Sequence, residues 1–221
     1  LISVCIPAYN RPEFLDDLLQ SIVEQDYDNY EIVVIEDNSP RTIEVEEVVR
    51  KYQVRYQTIP IKFERNNETL GYDGNFRALL NKSNGEYCVF MGDDDLLCPG
   101  ALKKIASVIS NFKVGVIIKS WARAHRETKE IVQYHRYFKT DRYFEKGVKS
   151  AATLFRRSVS MAGYTVSRKL ALKFETSRFD GTLLYQLYLT GAILSIADGY
   201  YISDVIAILG SLDIVLGEID R

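Results

Sequence analysis

Apolar positions along the first half of the chain alternate between two patterns. Short continuous runs alternate with stretches in which apolar residues recur every three or four positions. Ile2-Ser3-Val4-Cys5-Ile6 is a run of the first kind and predicts a strand stopped by Pro7. Pro12 opens a stretch of the second kind, where its missing N–H costs little. Phe14, Leu15, Leu18, Leu19 and Ile22 form the inner face of a helix to about Gln25. Strands follow at Glu31 to Glu36, Ile59 to Glu64 and Tyr87 to Met91. Helices lie between and after them, at Thr42 to Tyr52, Gly74 to Leu80 (reaching Lys82) and Pro99 to Ile109. This order implies parallel strands joined by right-handed crossovers, hence an α/β fold with a mostly parallel, Rossmann-like sheet flanked by helices.

The pattern loosens after residue 110. Val114 to Lys119 and Ser160 to Val166 read as strands, and Val148 to Arg157 as a helix. A short helix is expected near Arg168, a longer one from Gly181 to Leu189, and a strand from Ile193 to Ala197. Residues 120–145 mix polar, basic and aromatic side chains, as a hairpin or an excursion. The tail Asp204 to Arg221 fits no class. The expectation is one domain over 1–221, with a nucleotide-binding half, 1–110, and a less regular acceptor-binding half, 111–221.

Composition changes this picture little. Hydrophobic residues make up 47% and charged residues 26% of 221, the mixture of a globular protein. No apolar stretch approaches the roughly 20 residues of a membrane span. The chain opens at Leu1, inside an apparent strand and without a signal peptide, as a piece of a longer protein would. Cys5, Cys88 and Cys98 fit no zinc spacing and point to a reducing cytoplasm. Asn67-Glu68-Thr69 and Asn81-Lys82-Ser83 match glycosylation sequons, which an intracellular setting leaves as chance.

Charge is more informative. Residues 113–173 hold 15 Lys/Arg against 4 Asp/Glu, and the remainder 13 against 26. A basic segment in an acidic protein suggests an anionic partner, and equally a solvated surface offset by acidic neighbours.

The candidate chemistry sits at strand ends. In open parallel sheets ligands bind beyond the carboxyl ends of the strands. Asn10, Asp37 and Asp93-Asp94-Asp95 all fall just after such ends, so one rim should carry them. Adjacent carboxylates repel, and a hard divalent cation resolves the conflict. An acidic turn or a helix cap also tolerates acids, but a cap needs only one. Asp37 accepts hydrogen bonds only, which suits the N3–H of uracil or thymine; a turn cap at Asp37-Asn38-Ser39-Pro40 fits equally. Pro7-Ala8-Tyr9-Asn10 brings backbone groups and a ring to the rim. Gly71-Tyr72-Asp73-Gly74-Asn75 reads as a turn before a helix, and helix N-termini attract phosphate. It is not the glycine pattern of a nicotinamide site.

These elements together resemble family 2 glycosyltransferases of the GT-A fold. The resemblance rests on Val4-Cys5-Ile6-Pro7-Ala8-Tyr9-Asn10-Arg11, on Glu36-Asp37-Asn38-Ser39, and on Gly85-Glu86-Tyr87 with Asp94-Asp95 and Pro99-Gly100, in that order. It implies inverting transfer of a sugar from a nucleotide-sugar, a UDP- or dTDP-sugar, to an acceptor hydroxyl. It places Pro7, Ala8 and Asn10 around the nucleoside and Asp37 on the base; Tyr9, whose ring could pack on the base, and Asp73 and Asn75 at the helix start are the further candidate nucleotide-binding residues. Asp93 and Asp94 would meet the sugar diphosphate, and Asp95 with Asp93 would hold Mg²⁺ or Mn²⁺. Gly92 stands where many members have an acid, so the Asp-x-Asp frame shifts to Asp93 and Asp95. The family's general base lies in a Glu-Asp pair opening a late helix. Phe179-Asp180-Gly181 stands there, which makes Asp180 the expected base, though Asp would also cap that helix. His125 and His135 precede it and are expected at the surface. Trp121 is a candidate acceptor platform or a core residue.

The resemblance further implies a role in bacterial surface polysaccharide assembly, with a saccharide or lipid-linked saccharide acceptor and no nucleic acid. The 113–173 segment would then touch the inner face of a membrane as a peripheral contact. A nucleotidyltransferase is the alternative enzyme, although Pro7-Ala8-Tyr9-Asn10 lacks a basic glycine-rich loop. A non-catalytic nucleotide-sugar binding module is the third reading.

Overall fold

The computed structural model describes residues 1–125, 128 and 130–210. The first half follows the alternating pattern: β1 (Ile2–Ala8), α1 (Pro12–Val23), β2 (Tyr30–Glu36), α2 (Thr42–Arg55), β3 (Ile61–Arg65), α3 (Gly71–Lys82) and β4 (Tyr87–Phe90). Strands β3, β2, β1 and β4 are adjacent in that order, and all pairs are parallel. Chain direction across the sheet reverses between β1 and β4, so a crevice opens at their carboxyl ends.

Pro7 does not stop β1, which continues through it to Ala8. Cys5 C=O bonds across to Met91 N–H and Ala8 C=O to Asp37 N–H, so alternate residues face opposite neighbours. The missing N–H of Pro7 therefore points past the end of β4, which pairs only as far as Cys5 with Phe90. No ladder bond is lost there.

The second half is mixed rather than parallel. It contains β5 (Leu96–Leu97), α4 (Ala101–Phe112), β6 (Val116–Ala124), β7 (Ile131–His135), β8 (Arg142–Phe144), α5 (Val148–Phe155) and a 3₁₀ turn at Arg156–Ser158. Then come β9 (Tyr164–Ser167), α6 (Arg168–Lys173), α7 (Tyr185–Leu194) and β10 (Gly199–Leu209). One ten-stranded sheet runs through both halves, with β9 wedged antiparallel between β4 and β6. β6 and β7 form the hairpin expected within 120–145.

Two expected elements shift. The helix expected at Gly181–Leu189 starts at Tyr185, because Gly181 (φ 83°) and Leu183 (φ 60°) are left-handed and cannot continue a helix. It runs to Leu194 and absorbs the start of the strand expected at Ile193–Ala197. The unclassified tail divides: β10 takes it to Leu209, and residues 211–221 lie outside the described residues.

Helices cover both faces of the sheet. Leu15, Leu18, Leu19 and Ile22 of α1 pack with Val45, Val49 and Tyr52 of α2 and Ile105 of α4 on Val4, Ile6, Ile32 and Val34. Cys5, Val33 and Ile35 point the other way, toward Phe76 of α3, Leu154 of α5 and Leu189 of α7. The strict period-2 alternation of β1 and β2 thus feeds two apolar layers. Phe76 and Phe90 stack at 3.6 Å between ring centroids, which fixes α3 over the end of β4 beside the crevice.

Candidate active site

The crevice is a cleft of about 590 Å³. Its first wall is Pro7, Ala8, Tyr9, Arg11, Asp37, Thr69, Gly71, Tyr72 and Asn75. Asp93, Asp94 and Asp95 form its base, and its far wall is Val159 to Ala162, Leu183, Gln186 and Leu209. The rim expected from the strand ends therefore exists. Tyr9 N–H donates to Asp93 Oδ2 at 2.9 Å, which ties the turn after β1 to the acids after β4. Asn10 takes the left-handed conformation (φ 61°) that turns the chain, and its side chain is exposed outside the lining.

Asp37 is 4% exposed. Its Oδ1 accepts from Asn66 Nδ2 (2.7 Å) and from Leu70 N–H (2.8 Å), and its Oδ2 from Gly71 N–H (2.8 Å). The carboxylate thus closes the start of α3, and the glycine segment is the first turn of that helix rather than a turn ahead of it. Two acceptor positions exist on each oxygen, so Oδ2 keeps one open. The turn at 37–42 is capped instead by Glu36, fully buried at the strand end, which accepts from Ser39 N–H and Thr42 Oγ1. Asn75 lines the cleft with its amide anchored to Ile35 C=O at 3.0 Å.

The three acids are inequivalent. Asp95 is buried; its Oδ2 accepts from Gly92 N–H at 2.8 Å and its Oδ1 from Gly210 N–H at 3.3 Å, closing the 92–95 turn. A Cβ on Gly92 would lie 2.7 Å from Asp95 Oδ2 and 3.2 Å from Asp94 Oδ1, so glycine there makes room for the two carboxylates. Asp93 is 1% exposed and Asp94 28%, and Arg11 reaches both, at 2.6 Å each. Asp93 Oδ1 faces Arg11 without a well-aimed hydrogen bond from any group.

Burial dominates the electrostatics. It pushes the Asp95 carboxyl up to about 7, helped by the charge of Asp94 and opposed by the Gly92 and Gly210 N–H groups and Lys119. Burial also raises Asp93 to about 6, against the pull of Arg11 and Tyr9 N–H. Lys119, fully buried on β6 and bonded to Ser160 C=O at 2.7 Å, is pushed down to about 7, with Asp95 opposing the shift. A lysine inside the apolar run Val116 to Ser120 was the sequence signal for this internal cation.

The donor set is all carboxylate oxygen, the preference of a hard cation. Among the described residues no group of three His, Cys, Asp or Glu side chains is arranged to hold a metal by itself. A cation held by Asp93 and Asp94 would thus take further oxygens from a ligand, as Mg²⁺ does with phosphates.

Besides Asn10, two expected site residues lie outside the lining. Asp73 is 2% exposed, and its oxygens accept from Leu183 N–H (3.0 Å) and Tyr185 N–H (3.1 Å), capping α7. Asp73→Ala should therefore cost about 2–3 kcal/mol in denaturant unfolding, from unpaired N–H groups, with ligand affinity unchanged. Lost affinity at unchanged stability would instead put Asp73 at the ligand. Asp180 is 39% exposed and paired through both oxygens with Arg77 of α3, three residues before the cleft-lining Leu183.

Sequence reasoning assigned no role to Arg11, Tyr72, Ser160, Met161 or Gln186. Gln186 accepts from Tyr72 Oη at 2.9 Å and donates to Val159 C=O at 2.7 Å, bracing the far wall. Ser160 Oγ is buried without a partner among the described residues. Trp121 is buried and stacked on His135 at 3.6 Å, outside the lining, so it belongs to the β6–β7 hairpin.

The family model for glycosyl transferase family 2 matches residues 3–169. The chain is 40% identical over 102 residues, 46% of its length, to abequosyltransferase RfbV of Salmonella typhimurium. It is 35% identical over 104 residues, 47% of its length, to the GalNAc(5)-diNAcBac-PP-undecaprenol beta-1,3-glucosyltransferase of Campylobacter jejuni. The matched parts span 30% and 33% of those two proteins. The structure of S. aureus TarS 1–349 in complex with UDP-GlcNAc superposes with a TM-score of 0.74 at 19% identity, covering 96% of this chain and 59% of that one. The sheet and its helices are thus those of the GT-A fold, and the chain belongs to glycosyl transferase family 2.

Proposed function

We propose that the protein is an inverting glycosyltransferase that moves a sugar from a UDP- or dTDP-sugar to an acceptor hydroxyl in surface polysaccharide assembly. The observation that carries this reading is the meeting of Asp37, Asp93 and Asp94 in one cleft at the reversal of strand order. The open position on Asp37 Oδ2 would accept the N3–H of the base. Pro7, Ala8, Tyr9 and Asn75 would flank the nucleoside. Asp94 and Asp93 would hold Mg²⁺ or Mn²⁺, with Asp95 as the brace behind them. This departs from the sequence expectation of Asp95 with Asp93, because Asp94 is the most exposed of the three acids, whereas Asp95 is buried and held by the Gly92 and Gly210 N–H groups. When bound, the cation supplies positive charge against the departing diphosphate. Ser160, with its unpaired hydroxyl, would meet the transferred sugar, and Asp180 would take the acceptor proton.

Relatives named for sugar transfer, one of them with an undecaprenol-linked saccharide in its name, support a saccharide or lipid-linked saccharide acceptor. No helix among the described residues is long and apolar enough to cross a membrane. A place at the cytoplasmic face, in peripheral contact with lipid, is part of the same reading.

Thermal unfolding with a panel of nucleotides tests it. UDP- or dTDP-sugars should raise the melting temperature only with Mg²⁺ or Mn²⁺, and CDP-sugars, lacking the N3–H, should do so less. Stabilisation by nucleoside triphosphates and not by nucleotide-sugars would overturn the assignment in favour of nucleotidyl transfer.

A further inference from the structure

We infer that the rim of the cleft on the α5–α7 side is a docking surface for a bilayer rich in anionic phospholipid. The rim carries more exposed apolar surface than packing there requires. Val148 is 85% exposed, Phe155 42% and Val159 47%, and Ala152 is exposed as well. These positions are spaced i, i+4, i+7 and i+11, so they form one stripe along α5 and the 3₁₀ turn. Val159 ends the stripe and also lines the cleft. On the same wall of the cleft, Leu183 is 61% exposed, and Leu184 beside it is 42% exposed. Leu183 holds a positive φ of 60°, an uncommon conformation for a bulky residue. Gln186 joins the two parts of the rim by its bond to Val159 C=O.

Charge selects the partner. From Lys146 to Lys173 the sequence has seven Lys or Arg and no Asp or Glu. Lys146, Lys149 and Arg156 are exposed beside the stripe. Apolar side chains flanked by long basic ones are the pattern of a helix lying in a membrane interface, with the cations reaching the headgroups. A protein partner with an acidic groove would want fewer bare aliphatic side chains at the mouth of the cleft. The basic 113–173 segment is thus not uniformly available for docking: Lys119 is internal, whereas the 146–159 part is presented at the surface. Docked in this way, the cleft would open at the headgroup level, where a lipid-borne acceptor carries its sugar. That last consequence rests on the transferase reading; the docking itself does not.

Co-sedimentation of the full chain with phosphatidylcholine vesicles, with and without phosphatidylglycerol, tests the inference. Binding should require phosphatidylglycerol and fall as salt is raised. The double variants Lys149→Glu with Arg156→Glu, and Val148→Asp with Phe155→Ser, should each weaken binding by about tenfold or more. Both should keep the wild-type melting temperature and its shift with nucleotide-sugar, which shows an intact fold. Absent binding, binding indifferent to lipid charge, or variants that change only the oligomeric state would overturn the proposal. Vesicle binding without nucleotide-sugar stabilisation would sink the transferase reading and leave this one standing. Donor stabilisation without vesicle binding would do the reverse.

Discussion

Asp94→Asn should reduce sugar transfer by about 10²–10³-fold and abolish the metal-dependent shift in melting temperature given by a nucleotide-sugar. The fold should survive, because Asp94 is 28% exposed and its one ion pair is with a half-exposed arginine. Asp95→Asn should do something different. Each Asp95 oxygen accepts a backbone N–H, from Gly92 and from Gly210, and an amide group would turn a donor toward one of them. That variant should lose about 1–3 kcal/mol of stability by chemical denaturation, before any question of catalysis arises. Arg11 gives a third arm. Its guanidinium spans Asp93 and Asp94, the place a divalent cation would neutralise. Arg11→Ala should therefore bind Mn²⁺ alone more tightly than wild type, by calorimetric titration. If Asp94→Asn keeps its metal response while Asp95→Asn loses it at unchanged stability, the roles assigned to the two acids are reversed.

The difference between Asp94 and Asp95 shows what kind of information the sequence carries. The alternation of strands and helices, the shared rim and the position of the acids after β4 were legible, because apolar periodicity and parallel crossovers fix them. Which acid faces outward was not, since that depends on the tight turn Gly92 makes and on Gly210, a residue 115 positions away from Asp95. Asp73 and Asp37 make the same point. Both were legible as acids near a helix start. Their hydrogen bonds go to backbone far along the chain, Asp37 to α3 and Asp73 to α7. The far wall of the cleft was least legible. Val159, Met161, Ala162 and Leu183 are ordinary apolar residues in irregular segments, and only the insertion of β9 between β4 and β6 brings that half of the chain against the acids.

Asp180→Asn should lower the rate of transfer by about 10²–10⁴-fold while leaving nucleotide-sugar binding unchanged, if Asp180 takes the acceptor proton. The geometry makes this a demanding test. Among the described residues, the carboxylates that line the cleft are Asp37, Asp93, Asp94 and Asp95, and all four already hold backbone groups or Arg11. Asp180 is the acid of the 177–184 turn, three residues before the cleft-lining Leu183, and Arg77 holds both its oxygens. A salt bridge that only braces the turn against α3 would make Asp180→Asn and Arg77→Gln equivalent, each costing some stability and little rate. A base that Arg77 orients predicts a split. Asp180→Asn would lose rate at all pH values. Arg77→Gln would retain part of it, because the carboxylate stays in place and loses only the group that orients it. Equal and small rate effects in the two variants would remove Asp180 from the reaction and leave it as the clasp that positions Leu183 at the cleft mouth.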